Sequence, residues 1–167
     1  IPGRLHRWKR IDLLMEAMEK VSNKKIELNI AGLGEDEYSL KRMAKNNPNI
    51  HFLGRVADSD LVKFYSGAFA VPFVPKSEDY GYVTIEAFKS GKPVITCDDS
   101  GEPAWFVKKS GGGLVCPPNP QDIAEAIDFL SSNIQSAEQM GQSGLNLIRN
   151  INWENIATTL LKELFPK

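Results

Sequence analysis

Hydrophobic and polar positions alternate along the chain between helix-like and strand-like patterns. The apolar residues Ile11, Leu14, Met15, Met18 and Val21 recur close to the 3.6-residue helical period. From Ile26 to Ala31 the period is two, and the pattern stops at Gly32, as expected of a strand that runs into a turn. The same reading predicts further helices at 35–45, 59–66 (capped by Asp58 or Ser59), 82–90, 120–131, 136–149 and 153–165, and further strands at 50–53, 69–74, 93–97 and 113–116. Between the last two strands it predicts a loop and a helical turn that reaches Lys109.

Strands separated by helices predict βαβ crossovers and a parallel sheet covered on both faces. We therefore expect a Rossmann-like three-layer α/β/α domain with a mainly parallel sheet. A length of 167 residues fits one domain, which spans 1–167. Ligands of such sheets bind at the carboxyl ends of the strands, so the loops that leave the strands are the candidate site.

Charge and cysteine usage narrow the function classes. The 20 basic and 21 acidic residues give a net charge of −1, which disfavours nucleic acid as a partner. No apolar run approaches the roughly 20 residues of a transmembrane helix. Cys97 and Cys116 lack zinc-site spacing, so we expect two reduced core thiols and a cytoplasmic protein. The opening at Ile1, immediately before a motif, suggests a piece cut from a larger protein.

Four segments, the first at the start of the chain and the others after predicted strands, carry polar or glycine-rich chemistry. They are the basic stretch 3–10 with Arg4, Arg7, Lys9 and Arg10, the glycine turn 31–34, the segment 78–86 with two glutamates separated by seven residues, and the small-residue loop 100–103.

These residue types suit a ligand that joins a sugar, a diphosphate and a ribose. Guanidinium and ammonium groups bind phosphate, which also gains from free N–H groups at a helix N-terminus. Gly81 lies where a helix is predicted to begin, so the backbone there is open to a phosphate. Glu86 is suited to accept hydrogen bonds from a ribose diol, and Glu78 from a sugar.

The chain resembles the C-terminal donor-binding domain of the retaining GT-B glycosyltransferases of group 1 (family 4), and the resemblance covers essentially its whole length. Four features match in order and spacing: Gly3-Arg4-Leu5 followed by Lys9, the turn Ala31-Gly32-Leu33-Gly34, the E-x7-E motif from Glu78 to Glu86 running on to Val94, and Trp153-Glu154 at the start of the last helix.

The resemblance implies roles for individual residues. Arg4 and Lys9 hold the donor diphosphate and stabilise the negative charge that develops on it, and losing one such donor costs about 3 kcal/mol or more of transition-state stabilisation. Glu78 binds the donor sugar, so the expected catalytic residues are Arg4, Lys9 and Glu78. The expected donor-binding residues are Gly3, Arg4, Lys9, Gly32, Arg55, Val56, Glu78, Gly81, Tyr82, Val83, Thr84 and Glu86. Among these, Glu86 binds the ribose, Arg55-Val56 lie by the base, and the backbone of 82–84 contacts phosphate.

The resemblance further implies a UDP- or GDP-sugar as donor substrate, no separate cofactor and no metal. It implies that turnover needs an N-terminal acceptor-binding domain, which this chain does not contain. Peripheral docking of the longer protein on a membrane is compatible with the resemblance. In the loop after Cys97, Trp105 occupies a position where family members often carry glutamate, which leaves the role of 101–105 open.

Other interpretations of the same residues stay open at this stage. A nucleotide-binding module without transfer activity is the main alternative. A dinucleotide fingerprint is weak because its third glycine falls at Glu37, and Ser100 lacks the surroundings of a hydrolase nucleophile. Within the basic stretch, we expect Arg7 and Arg10 to be surface residues.

Overall fold

The structure is a computed structural model that describes residues 1–149 and 151–164. The strands within these ranges are β1 (Leu28–Ala31), β2 (Ile50–Gly54), β3 (Val71–Pro72), β4 (Val94–Cys97) and β5 (Gly113–Cys116). The helices are α1 (Ile11–Lys20), α2 (Glu37–Ala44), α3 (Asp58–Gly67), α4 (Tyr82–Lys89), α5 (Glu102–Ser110), α6 (Pro120–Ser132), α7 (Ile134–Ile148) and α8 (Trp153–Leu164). A short 3-10 helix, Arg7–Lys9, precedes α1.

All strand pairing between these elements is parallel, but the strands form two sheets. One sheet contains β1 and β2, and the other has the order β3-β4-β5. The expected α/β class with mainly parallel strands is confirmed. Within the described residues, β1 and β3 are not hydrogen-bonded to each other, so the strands form two sheets.

Two hydrophobic cores lie on the two faces of the sheets, as a three-layer arrangement requires. The first core contains residues of α1, α2 and α6, and the second contains residues of α3, α4 and α5. Neighbouring residues of β4 illustrate the division, since Ile95 belongs to the first core and Val94 to the second. Ile1 packs against both.

Several element boundaries differ from the sequence predictions for local reasons. The predicted strand 69–74 is reduced to Val71–Pro72, although the amide of Phe73 still donates to the carbonyl of Ile95 at 2.8 Å. The predicted turn before Lys109 is the full helix α5, which ends where Gly111 adopts a left-handed conformation. Ala57, rather than Asp58 or Ser59, is the N-cap of α3. The predicted end of the last helix, Phe165, lies outside the described residues.

Candidate functional site

The first five residues run beside the end of β1 at close backbone contact. The amide of Gly3 donates to the carbonyl of Ala31 at 2.9 Å, and the amide of Leu5 donates to that of Leu33 at 3.0 Å. A Cβ atom at Gly32 would lie 1.8 Å from the carbonyl oxygen of Gly3, so only glycine permits this approach. The glycine turn after β1 therefore allows the segment that carries Arg4 to pack directly against the end of this strand.

Five of the predicted site residues line one cavity of about 370 Å³ at the carboxyl ends of β1 and β2. The amide of Gly32 donates to the carbonyl of Gly54 at 2.7 Å and so joins the two strand ends. The five residues are Gly3, Arg4, Gly32, Arg55 and Val56. Arg4 and Arg55 place two guanidinium groups at this cavity, which makes it suited to an anion.

The Arg4 side chain is exposed and held by an acidic neighbour that the sequence reasoning did not single out. Its Nη2 lies 3.1 Å from Oε2 of Glu35, and Nε2 of His6 lies 3.4 Å from Oε1 of the same carboxylate. The pKa of Glu35 is lowered because its carboxylate accepts a hydrogen bond from the backbone amide of Glu35 and lies near the charges of Arg4 and His6. Glu35 follows Gly34 directly, so the glycine turn was the only sequence signal for it.

Lys9 and Glu78 form the second part of the site. Lys9 Nζ lies 2.5 Å from Oε2 of Glu78, and about a quarter of each side chain is exposed. The ammonium group also lies 5.5 Å from the centroid of the Phe73 ring. The structure therefore pairs two of the three predicted catalytic residues, which are 69 positions apart in the sequence.

The expectation that Arg10 is a surface residue is wrong. Its guanidinium forms a two-pronged contact with the Asp99 carboxylate, at 2.8 and 2.6 Å, and donates to the carbonyls of Val74 and Pro75 at 2.7 and 2.8 Å. Only 15% of the side chain is exposed. Arg10 thus ties the basic stretch to the ends of β3 and β4. Arg7, in contrast, is exposed and stacks on Trp8.

Gly81 is the N-cap of α4 and adopts a left-handed conformation with φ 70° and ψ 60°. A Cβ atom there would lie 2.6 Å from Cγ of Pro103, so the position has neither the backbone freedom nor the space for a side chain. Tyr82 and Val83 contribute amides of the first helical turn, where N–H groups lack helical partners. The Thr84 amide donates to the carbonyl of Gly81 and its side chain is fully buried, so Thr84 does not reach the surface of the site.

Glu86 faces away from the core although its neighbours in α4 are buried. Its Oε2 accepts a hydrogen bond of 2.7 Å from the hydroxyl of Tyr65 on α3. Burial and this carboxylate raise the pKa of Tyr65. The observed partner of Glu86 is thus a hydroxyl rather than a cation.

The loop after β4 packs against the first glutamate of the motif. The amide of Glu78 donates to the carbonyl of Ser100 at 3.0 Å, and a Cβ atom at Gly101 would lie 2.5 Å from the carbonyl oxygen of Glu78. Ser100 is fully buried and its Oγ accepts from the Cys97 amide, an arrangement unsuited to a nucleophile. Loop 100–103 therefore positions Glu78.

The arrangement of these segments is shared with known proteins. The profile of the family described as "Glycosyl transferases group 1" matches residues 1–146. The chain belongs to this family. Within it, the chain is 28% identical over 144 residues to the D-rhamnosyltransferase WbpZ of Pseudomonas aeruginosa, covering 84% of this chain and 38% of the relative. It is also 28% identical over 169 residues to the D-inositol 3-phosphate glycosyltransferase of Corynebacterium aurimucosum, covering 95% of this chain and 40% of that protein.

The fold is likewise that of solved glycosyltransferases. The structure of S. aureus TarM in complex with fondaparinux, alpha-GlcNAc-glycerol and UDP superposes with a TM-score of 0.85 at 26% identity, over 99% of this chain and 34% of the TarM chain. The group 1 glycosyltransferase chain described here thus spans about two fifths or less of these three proteins.

Two further observations concern the described residues only. None of their helices combines the length and the apolar character needed to cross a bilayer. Their His, Cys, Asp and Glu side chains nowhere form a group of three that is placed to hold a metal ion. Cys97 and Cys116 are both free and buried, so the prediction that they belong to the core is confirmed.

Proposed function

We propose that this group 1 glycosyltransferase domain binds a UDP- or GDP-sugar and supplies the donor half of a retaining, metal-independent sugar transfer. The proposal rests above all on the 370 Å³ cavity that gathers Gly3, Arg4, Gly32, Arg55 and Val56 from three separate segments. The complex of TarM with UDP, at 26% identity, supports a nucleoside diphosphate as ligand.

The diphosphate is assigned to the space between Arg4, Lys9 and the amides of Tyr82 and Val83. Cations and helix N-terminal amides already in place stabilise charge as it develops, without reorganisation during the reaction. As the bond between the sugar and the diphosphate breaks, negative charge grows on the leaving phosphate, where Arg4 and Lys9 act.

Donor binding is proposed to exchange partners within the ion pair of Lys9 and Glu78. A phosphate competes with the carboxylate for the Lys9 ammonium group. The released Glu78 then accepts hydrogen bonds from hydroxyls of the donor sugar. The pair therefore keeps both groups ordered before the donor arrives.

The nucleoside end is proposed to lie between Arg55-Val56 and Glu86. Glu86 is exposed and accepts a hydrogen bond from the Tyr65 hydroxyl, the same kind of bond that a ribose diol would donate, which supports this proposal. Transfer to an acceptor is assigned to the longer protein, with an N-terminal domain that completes the cleft. A cytoplasmic location stays a prediction.

Calorimetry and thermal shift with UDP, GDP, ADP, their sugar conjugates and NAD test the donor site. A ligand at a hundred times its Kd stabilises the fold by about 2.7 kcal/mol. For a chain of this size that corresponds to a rise in Tm of about 5–10 °C. We expect one nucleoside diphosphate to give this shift and NAD to give none.

Substitutions then assign the residues. Arg4→Ala and Lys9→Ala should each weaken diphosphate binding about tenfold or more, and Glu86→Ala should weaken nucleoside recognition. Arg7→Ala is the matched control, since it removes an exposed cation from the same stretch. Equal affinities for Arg4→Ala, Lys9→Ala and Arg7→Ala would refute the site. Donor binding without transfer by the longer protein would instead favour the non-catalytic module.

A further inference from the structure

The hydrogen bond between Tyr65 and Glu86 joins two helices beside the proposed donor site. The hydroxyl of Tyr65, on α3, donates to Oε2 of Glu86, on α4, at 2.7 Å and across 21 positions of the sequence. Tyr65 is only 7% exposed and belongs to the second core, whereas Glu86 is exposed. An immobile ring thus holds a carboxylate whose side chain has several rotamers open to it in solvent.

The hydroxyl of Tyr65 is not required for the packing of the core. Its ring shares the second core with apolar residues such as Val71 and Phe88, where phenylalanine would bring no polar group to desolvate. Burial and the carboxylate raise the pKa of Tyr65, so the hydroxyl keeps its proton and stays a donor at neutral pH. Glu86 in turn needs no protein partner, because water can solvate an exposed carboxylate. The contact therefore determines where this carboxylate lies.

The Glu86 carboxylate keeps capacity for further hydrogen bonds. Within the described part of the chain, its Oε1 accepts no hydrogen bond and neither oxygen is paired with a cation. A carboxylate has about four lone-pair sites, so the Tyr65 hydroxyl leaves room for the two hydroxyls of a ribose. A carboxylate that is already ordered loses less conformational entropy when a ligand binds.

The side of α3 that carries Tyr65 also reaches the donor cavity. Leu61 of α3 lines this cavity together with Arg55 and Val56, which precede the helix in the sequence. Tyr65 follows Leu61 by four residues, so the two side chains lie on the same side of the helix. One helix therefore contributes to the cavity assigned to the nucleoside and donates to the carboxylate assigned to its ribose.

We infer that Tyr65 is a positioning residue, which holds the Glu86 carboxylate in the orientation that accepts both hydroxyls of a ribose and so increases the preference for ribonucleotides over 2′-deoxyribonucleotides. The inference rests on the ribose role proposed for Glu86. It adds that this role depends on the hydroxyl of a second residue that does not itself contact the ligand.

Calorimetric titration of the chain with UDP, 2′-deoxy-UDP, GDP and 2′-deoxy-GDP measures this preference. We expect Tyr65→Phe to weaken binding of the preferred ribonucleotide about threefold to tenfold, the range of a typical hydrogen bond. The 2′-deoxy form should lose less, so the ratio of the two affinities should fall. Tyr38→Phe is the matched control, because Tyr38 on α2 is 78% exposed and its hydroxyl loss should change neither affinity. Thermal unfolding checks that each variant is folded.

A double-mutant cycle tests whether Tyr65 acts through Glu86. In a Glu86→Ala chain, Tyr65→Phe should cause no further loss of ribonucleotide affinity. An unchanged ribose preference in Tyr65→Phe, or the same loss with and without Glu86, would overturn the inference and leave the donor site in place. Parental affinity in Glu86→Ala would overturn the ribose role and the inference together. Failure of the parent chain to bind UDP or GDP would overturn both along with the donor site.

Discussion

At the scale of single residues, Arg10 shows how one side chain organises the site without touching the proposed ligand. Its guanidinium reaches the Asp99 carboxylate and the carbonyls of Val74 and Pro75 at once. Its own backbone is left-handed, with φ 50°, between the 3-10 helix and α1. Lys9, the preceding residue, is thereby held where it meets Glu78.

We expect Arg10→Ala to lower the free energy of unfolding by about 2–3 kcal/mol, because it leaves Asp99 and two carbonyls without their donor. Tm should fall by about 4–12 °C in a chain of this size. Arg10→Lys should retain less than half of the free energy that Arg10→Ala loses, since one ammonium group cannot reproduce the parallel hydrogen bonds of the planar guanidinium. Thermal unfolding gives the Tm of both variants and of Arg7→Ala, which is the control because it removes an exposed cation from the same stretch. A loss no larger than that of Arg7→Ala would contradict the assignment.

The basic stretch 3–10 also shows which residues of the site could be predicted from the sequence. Arg4 and Lys9 were predicted from the resemblance of Gly3-Arg4-Leu5 and the following Lys9 to a family motif, which is a local signal. Arg7 and Arg10 look alike in the sequence, and only the left-handed turn at Arg10 separates an exposed cation from a mostly buried one. The acidic partners Glu35 and Asp99 depend on long-range folding and were not predicted.

At the scale of elements, the start of α4 is determined by a contact with α5. Gly81 needs both a left-handed backbone and the absence of a Cβ atom, because Pro103 occupies the adjacent space. The predicted start of the helix at Tyr82 is confirmed, since glycine before a helix is a local signal. The full length of α5 was not predicted, because 101–105 combines glycine, proline and tryptophan without a helical period.

We expect Gly81→Ala to destabilise the fold by about 1–3 kcal/mol, from backbone strain together with the contact with Pro103. Adding Pro103→Ala should relieve the contact but not the strain, so the double variant should recover only in part. Gly67→Ala is the matched control, because a Cβ atom there meets nothing within 4 Å. Denaturant unfolding of the variants gives the free energies. A Gly81→Ala chain as stable as Gly67→Ala would show that the tight start of α4 is not required.

At the scale of the whole molecule, the alternation of helical and strand patterns in the sequence predicted the layered α/β class. The family profile and the superposition on TarM agree with this prediction. The division into two sheets did not follow. A pattern reports which residues of a strand are buried, but not which strand lies beside it. The neighbour of β1 is set by chain segments far apart in sequence, so the pattern of Ile26 to Ala31 gave no sign of it.

The separation of β1–β2 from β3-β4-β5 also has a consequence for how the chain comes apart. Without a shared ladder, the two sheets are joined by side chains. The first core contains residues of both, among them Leu28 and Ile50 of one sheet and Ile95 and Cys116 of the other, and Arg10 adds its bridge to Asp99. Opening one sheet would therefore expose apolar surface of the other, so we expect the described part of the chain to unfold in one cooperative step rather than sheet by sheet.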